Sequence, residues 1–178
     1  AIELGVDGFE FDIQLSKDGI PVVIHDATLE RTTSGKGLVR DFTLQELQKL
    51  DAGNGEKIPS LQEVIEEFAR KTHLFIELKA ENSVKPVVEL LKHNVKTMNL
   101  SYEKFFICSF NHQQIAEARS LIPEIRTCAL LVGIPVTLAQ IAVEAGAYSL
   151  NPTIHHINQA LVDDAQAKGL KIMVWTVN

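Results

Sequence analysis

The chain has 178 residues, of which 46% are hydrophobic and 22% charged. That composition excludes disordered, fibrous and disulfide-scaffold classes and suits one globular domain that buries roughly 70% of its unfolded surface. The net charge of −6 comes with no basic run, so no nucleic-acid partner is expected. The longest strongly apolar stretch, residues 128–136, is far shorter than the ~20 residues a membrane helix needs. Two cysteines form neither a disulfide framework nor a metal motif, which fits a reducing cytoplasmic setting, with the periplasm as the alternative.

Taken in chain order, residues 1–4 followed by Gly5 read as the last turn of a helix and its cap. Residues 8–13 and 22–24 read as strands. Residues 32–59 break the rhythm: Gly35, Gly37, Gly53 and Gly55 surround one short helix opened by Thr43-Leu-Gln-Glu46. Ser60-Leu-Gln-Glu63 repeats that capping-box pattern, in which hydroxyl and carboxylate satisfy exposed backbone amides reciprocally. Leu61, Val64, Ile65 and Phe68 then form the stripe of a core-facing helix. Strands follow at 74–78 and 105–108, and Asn111 caps a helix running to about Leu121, before Pro123. After a strand at 127–131, Thr137 opens a helix that Gly146 closes. A strand at 147–150, a helix over 158–168 ended by Gly169, and a strand at 172–177 complete the chain.

Strands alternating with helices imply parallel pairing and right-handed crossovers. Seven strands in that rhythm point to an α/β fold, a TIM-type barrel of eight strands and eight helices. The count is one strand short, and a typical barrel has ~250 residues. The expectation is therefore a single partial barrel domain over 1–178. It lacks the first strand and the last helix, and carries a small insertion at about 32–59. A missing strand exposes two unpaired edges, which a homo-oligomer would cover.

Side chains alternate faces along a strand, so in Phe9-Glu10-Phe11-Asp12-Ile13 the two acids share one side. Parallel strands are usually apolar on both faces. Two inward carboxylates need a neutralising cation, and oxygen ligands suit a divalent metal; the bland alternative is a solvated acidic face. Glu77 and Lys79 share a face at the end of 74–78, where barrel active sites are built, or form a structural ion pair. His25 ends the run Val22-Val-Ile-His25-Asp26 and reads as a general acid or base or as a satisfied core residue. Arg31, Thr32 and Thr33 follow and can contact an anion. Trp175 sits at a strand end, as packing or as a pocket wall. His73, His93, His112, His155 and His156 show no ligand spacing, and Cys108 and Cys128 read as small buried hydrophobes.

These residues resemble a known family. Gly5-Val-Asp-Gly8-Phe-Glu10-Phe-Asp12-Ile and Lys17-Asp-Gly19-Ile-Pro-Val-Val-Ile-His25-Asp26-Ala-Thr-Leu-Glu-Arg31-Thr-Thr33 are similar to glycerophosphodiester phosphodiesterases. Ile58-Pro-Ser-Leu61, Phe75-Ile-Glu77-Leu-Lys79, Cys108-Ser-Phe110 and Val174-Trp175-Thr-Val-Asn178 continue the match across the chain. The resemblance implies a TIM-type barrel that hydrolyses glycerophosphodiesters to an alcohol and sn-glycerol 3-phosphate with one divalent cation, Mg²⁺ or Ca²⁺. Carried over, Glu10, Asp12 and Glu77 are metal ligands and His25 is one of two catalytic histidines. Lys79 is a phosphate-side or metal-shell cation that binds substrate, and Trp175, from its place at a strand end, is the other substrate-binding candidate. The partner is a small-molecule phosphodiester, with no nucleic acid and no transmembrane segment. The family's His-Arg-Gly and Glu-Asn-Thr motifs have no counterpart here. A related phosphodiesterase acting on phospholipid headgroups and a non-catalytic phosphodiester-binding module are the alternatives.

Overall fold

The structure, a computed structural model, describes residues 5–177. The helical turn expected at 1–4 lies outside the described residues, as does Asn178. The chain divides into two compact units, the first ending at Phe105 and the second beginning at Phe106.

In the first unit, β1 (Gly8–Leu15) pairs with β2 (Pro21–Val23) and with β3 (His73–Leu78). The β1–β3 ladder is parallel, with Asp12 opposite Glu77 and Ile13 opposite Leu78. The β1–β2 ladder is antiparallel, with Ile13 opposite Val23. This corrects the expectation of parallel pairing throughout. The connection between them is a tight turn in which Ser16 N–H donates to Ile20 O at 3.0 Å and Gly19 takes the left-handed φ of 75° that favours glycine. Phe11 and Ile13 are buried on one face of β1, while Glu10 is exposed and Asp12 half-buried on the other. Phe9 meets Phe68 edge to face at 5.2 Å, so the aromatic side of β1 is the packed side.

The excursion that follows β2 has a core of its own. Val22, Ile24, Leu29, Val39, Leu47 and Ile58 are buried together, with Phe42, Leu44, Leu50 and Ala52 against them. It holds α1 (Leu44–Leu47), opened by the Thr43–Glu46 capping box. A Cβ at Gly35 would lie 2.6 Å from Leu50 Cδ1, so any larger residue there would push the Leu50 side chain aside. The segment returns to the strand it left: Val23 N–H donates to Pro59 O at 2.9 Å. α2 (Leu61–Phe68) starts at the Ser60–Glu63 capping box and buries Leu61, Val64 and Ile65. α3 (Val84–Met98) carries Pro86 in its first turn, where a missing N–H costs nothing.

The second unit takes in β4 (Phe105–Ser109) from Phe106 onward, β5 (Arg126–Leu131), β6 (Ser149–Pro152) and β7 (Lys171–Ile172), which pair successively in parallel. Cys108 and Cys128 are register partners, and both are buried. The helices are α4 (His112–Leu121), α5 (Gln140–Glu144) and α6 (Gln159–Ala167). Asn111 and Asn158 cap α4 and α6 through their side chains. α5 begins three residues later than Thr137 implies, because Leu138 takes a positive φ of 49° that no helix permits. Gly146, at φ 66°, closes that segment as expected. β7 is only two residues long, and beyond it Trp175 makes an isolated bridge to Thr153. Ala129, Leu131, Ala142, Leu150, Leu161 and Leu170 are central to this unit's core. No helix among the described residues is long and apolar enough to cross a membrane.

Candidate active site

Strand alternation puts Glu10 and Asp12 on the unpacked face of β1, and the parallel register sets Glu77 of β3 directly across from Asp12. One ligand oxygen from each of Glu10, Asp12 and Glu77 lies within 4.8 Å of the other two. No other group of three His, Cys, Asp or Glu residues among the described residues is this close. Lys79, two residues beyond Glu77 on the same face, brings its ammonium to 3.3 Å from Asp12 Oδ1 and into closer contact with Glu77 Oε1. The backbone there is tied to β1, since Lys79 N–H and Ala80 N–H both donate to Ile13 O.

Three carboxylates face one ammonium, so the cluster is short of positive charge. Glu10 is accordingly pushed up to about 7, by loss of water around its carboxyl and then by the negative charges of Asp12 and Glu77. Glu10 remains open to solvent, so like-charge crowding is the part of this strain that a bound cation would relieve. Burial raises Glu77 above the usual carboxylate range, although Lys79 pulls it down. Burial pulls Lys79 down, but its hydrogen bond to Glu77 and the charges of Glu77 and Asp12 prevail, and it titrates above the usual lysine range. A hard divalent cation fits this all-oxygen, electron-rich donor set.

His25 follows β2 by two residues. Ile24 N–H donates to Asp12 O at 3.0 Å, and Gln14 Nε2 donates to His25 O at 3.1 Å. The histidine is thereby tethered to the strand that carries the acids, and its charge acts on both Glu10 and Glu77. The imidazole is exposed, with Nδ1 at 2.6 Å from Asp26 Oδ1. Arg31 grips the same carboxylate from the other side, Nε to Oδ2 at 2.6 Å and Nη2 to Oδ1 at 2.8 Å. The Arg31 guanidinium and His25 hold Asp26 far below the usual carboxylate range.

The structure thus brings Glu10, Asp12, Glu77 and Lys79 together and sets His25 within their electrostatic reach. Trp175 belongs to the second unit, where its indole N–H donates to Asn151 O at 2.8 Å and its ring meets Phe110 edge to face at 5.7 Å. Arg31 is occupied by Asp26, and Thr33 Oγ1 donates to Leu29 O, so these residues build the loop around His25. Two contributors escaped the sequence reading, namely Asp26 as the partner of His25 and Gln14 as its tether. An acid adjacent in sequence to the histidine was the only available signal for the first.

The family profile described as Glycerophosphoryl diester phosphodiesterase family matches residues 1–178. The glycerophosphodiester phosphodiesterase of Caldanaerobacter subterraneus subsp. tengcongensis is 41% identical over 187 residues, an alignment that spans 100% of this chain and 76% of that protein. The glycerophosphodiester phosphodiesterase of Bacillus subtilis is 29% identical over 202 residues, spanning 100% and 69%. Among solved structures, an Oleispira antarctica phosphodiesterase in complex with the product sn-glycerol-3-phosphate superposes with a TM-score of 0.88 at 31% identity, covering 100% of this chain and 76% of that one. The fold is of the α/β, TIM-type barrel class that the sequence led one to expect. A match over the whole sequence, and a relative this similar, establish that the chain belongs to the glycerophosphoryl diester phosphodiesterase family of enzymes.

Proposed function

We propose that this chain hydrolyses glycerophosphodiesters to an alcohol and sn-glycerol 3-phosphate, using a divalent cation and histidine acid–base chemistry. The observation that carries the reading is the cluster of Glu10, Asp12 and Glu77 with Lys79 at the ends of two paired strands. The names of the relatives, and the product held by the Oleispira antarctica enzyme, favour a glycerophosphodiester over a phospholipid headgroup or a purely binding role.

Glu10, Asp12 and Glu77 would hold the cation, Mg²⁺ or Ca²⁺. When bound it supplies Lewis-acid stabilisation of negative charge on the phosphate. Lys79 adds a fixed positive charge beside the phosphoryl oxygens, where charge grows in the transition state. His25 moves a proton through Nε2, because Nδ1 is engaged by Asp26. Asp26 keeps the ring in one tautomer and orientation, and Arg31 keeps Asp26 in place. His25 is one of the two histidines the reaction class calls for, acting as acid or base in a role worth ~10²–10⁴-fold. Trp175, at a strand end, is proposed to line the substrate pocket.

The test is release of sn-glycerol 3-phosphate from sn-glycero-3-phosphocholine by the purified protein, with Mg²⁺, with Ca²⁺ and with a chelator. Cation-dependent release that Glu10→Gln abolishes is the expected result. Equal release with and without chelator would overturn the metal role, and no release under any condition would overturn the activity.

A further inference from the structure

Beyond the acid cluster, the same two strands run on into a cavity of about 550 Å³. Asp12 and Glu77 are opposite each other, and the next residues on that face, Gln14 and Lys79, both line the cavity wall. The cavity therefore begins where the cluster ends. Its lining also includes Lys17, Arg40 of the excursion, and Glu81 of the loop between β3 and α3. Lys79 is committed to Asp12 and Glu77. Lys17 and Arg40 are exposed, and neither is ion-paired with a carboxylate among the described residues. Glu46, the acid that feels the charge of Lys17, is taken up by its capping box with Thr43.

The wall is held before any ligand arrives. Lys17 N–H donates to Phe42 O at 2.8 Å, and Asp18 Oδ1 accepts from Ser16 Oγ at 2.6 Å and from Leu44 N–H at 3.0 Å. Arg40 sits on a 3-10 turn anchored by the buried Val39. Two uncommitted cations on a fixed wall, against the single carboxylate of Glu81, make a site complementary to an anion.

We infer that the cavity lined by Lys17 and Arg40 is a specificity subsite for a phosphodiester whose alcohol carries its own anionic group, such as a carboxylate. The inference deepens the phosphodiesterase reading and rests on it for the identity of the substrate. The phosphate lies at the acid cluster with Lys79, and the alcohol extends past Gln14 toward the two cations. Such a subsite discriminates by charge, at a distance from the reacting bond.

The test uses two diesters that differ by one carboxylate, sn-glycero-3-phosphoserine and sn-glycero-3-phosphoethanolamine. Binding is measured by titration calorimetry in saturating Ca²⁺ on a His25→Ala background, so that the cation is present and turnover is removed. The serine diester is expected to bind about fivefold more tightly, the scale of exposed charge pairs. That ratio falls to about one in Lys17→Gln/Arg40→Gln and inverts in Arg40→Glu. Equal affinities with Lys17 and Arg40 intact, no binding of either diester, or a ratio unmoved by the substitutions each overturn the inference. Hydrolysis of both diesters at equal kcat/KM would overturn it while leaving the phosphodiesterase activity in place. A retained binding preference without hydrolysis of any diester would overturn the activity and leave the subsite.

Discussion

Asp12 and Glu77 stand directly opposite each other in the parallel register of β1 and β3, and a single ammonium, that of Lys79, serves both. Like charges placed across a ladder repel, so this pairing depends on positive charge being supplied to it.

Lys79→Met removes the cation and leaves the acids uncompensated. The variant is expected to lose about 1–2 kcal/mol of stability without metal, a value reduced from that of a fully buried pair because the group is partly solvated. Saturating Ca²⁺ should restore part of the loss. Thermal melts with Ca²⁺ and with chelator check this, and a melting temperature that does not move would count against the arrangement.

The raised Glu10 makes stability pH-dependent. Its carboxyl shifts from an ordinary 4.5 to about 7 in the folded chain, so the folded state holds more protons between those values. Stability without metal should therefore fall as pH rises from about 5 to about 7, by on the order of 1 kcal/mol after screening by solvent. Glu10→Gln should flatten that fall, and cation affinity should rise over the same interval as the competing proton leaves. Urea titrations at several pH values, paired with calorimetric cation titrations, supply the readouts.

Asp26→Asn keeps the size of the side chain but removes the charge that orients His25. Turnover is expected to drop on the order of tenfold, with KM nearly unchanged, since the loss falls on proton transfer. Arg31→Lys should do less, because it replaces a two-point grip with a single charge. A shifted pH–rate profile in Asp26→Asn would distinguish orientation of the imidazole from a general loosening of the loop.

The capping box at Ser60 supports the site from behind, since Ser60 also bridges to Val22 of β2. Ser60→Ala is expected to cost about 1 kcal/mol, lowering the melting temperature by ~2–4 °C. Activity measured well below that temperature should stay within about twofold of the unsubstituted protein.

Much of this was legible because it is written at short range. Both capping boxes, the Asn111 cap and the alternation of Phe9, Glu10, Phe11 and Asp12 depend on neighbours a few residues apart, and the structure reproduces them. The antiparallel course of β2 was missed although Asp18-Gly19 is a hairpin signal, because the strand–helix rhythm outweighed it. The start of α5 was misplaced by a single backbone angle at Leu138. The acid cluster was foreseen from two strand patterns and from the family resemblance that joins Glu10, Asp12 and Glu77; the register that sets Asp12 opposite Glu77 is long-range, and no local pattern encodes it. The grip of Asp26 on His25 depends on where a loop folds back, and so does the cavity wall at Arg40.

The hairpin that joins β1 to β2 does more than connect them. Side chains on a strand repeat every two residues, so pairing shifted by one residue would exchange the faces of β1. Phe9, Phe11 and Ile13 would then point where the acids now stand, and Glu10 and Asp12 would be driven against Phe68. The turn from Ser16 to Ile20, with Gly19 in its left-handed conformation, fixes the pairing of Ile13 with Val23 and so excludes that slip. The geometry of one short turn therefore decides, during folding, on which face of β1 the acid cluster is assembled.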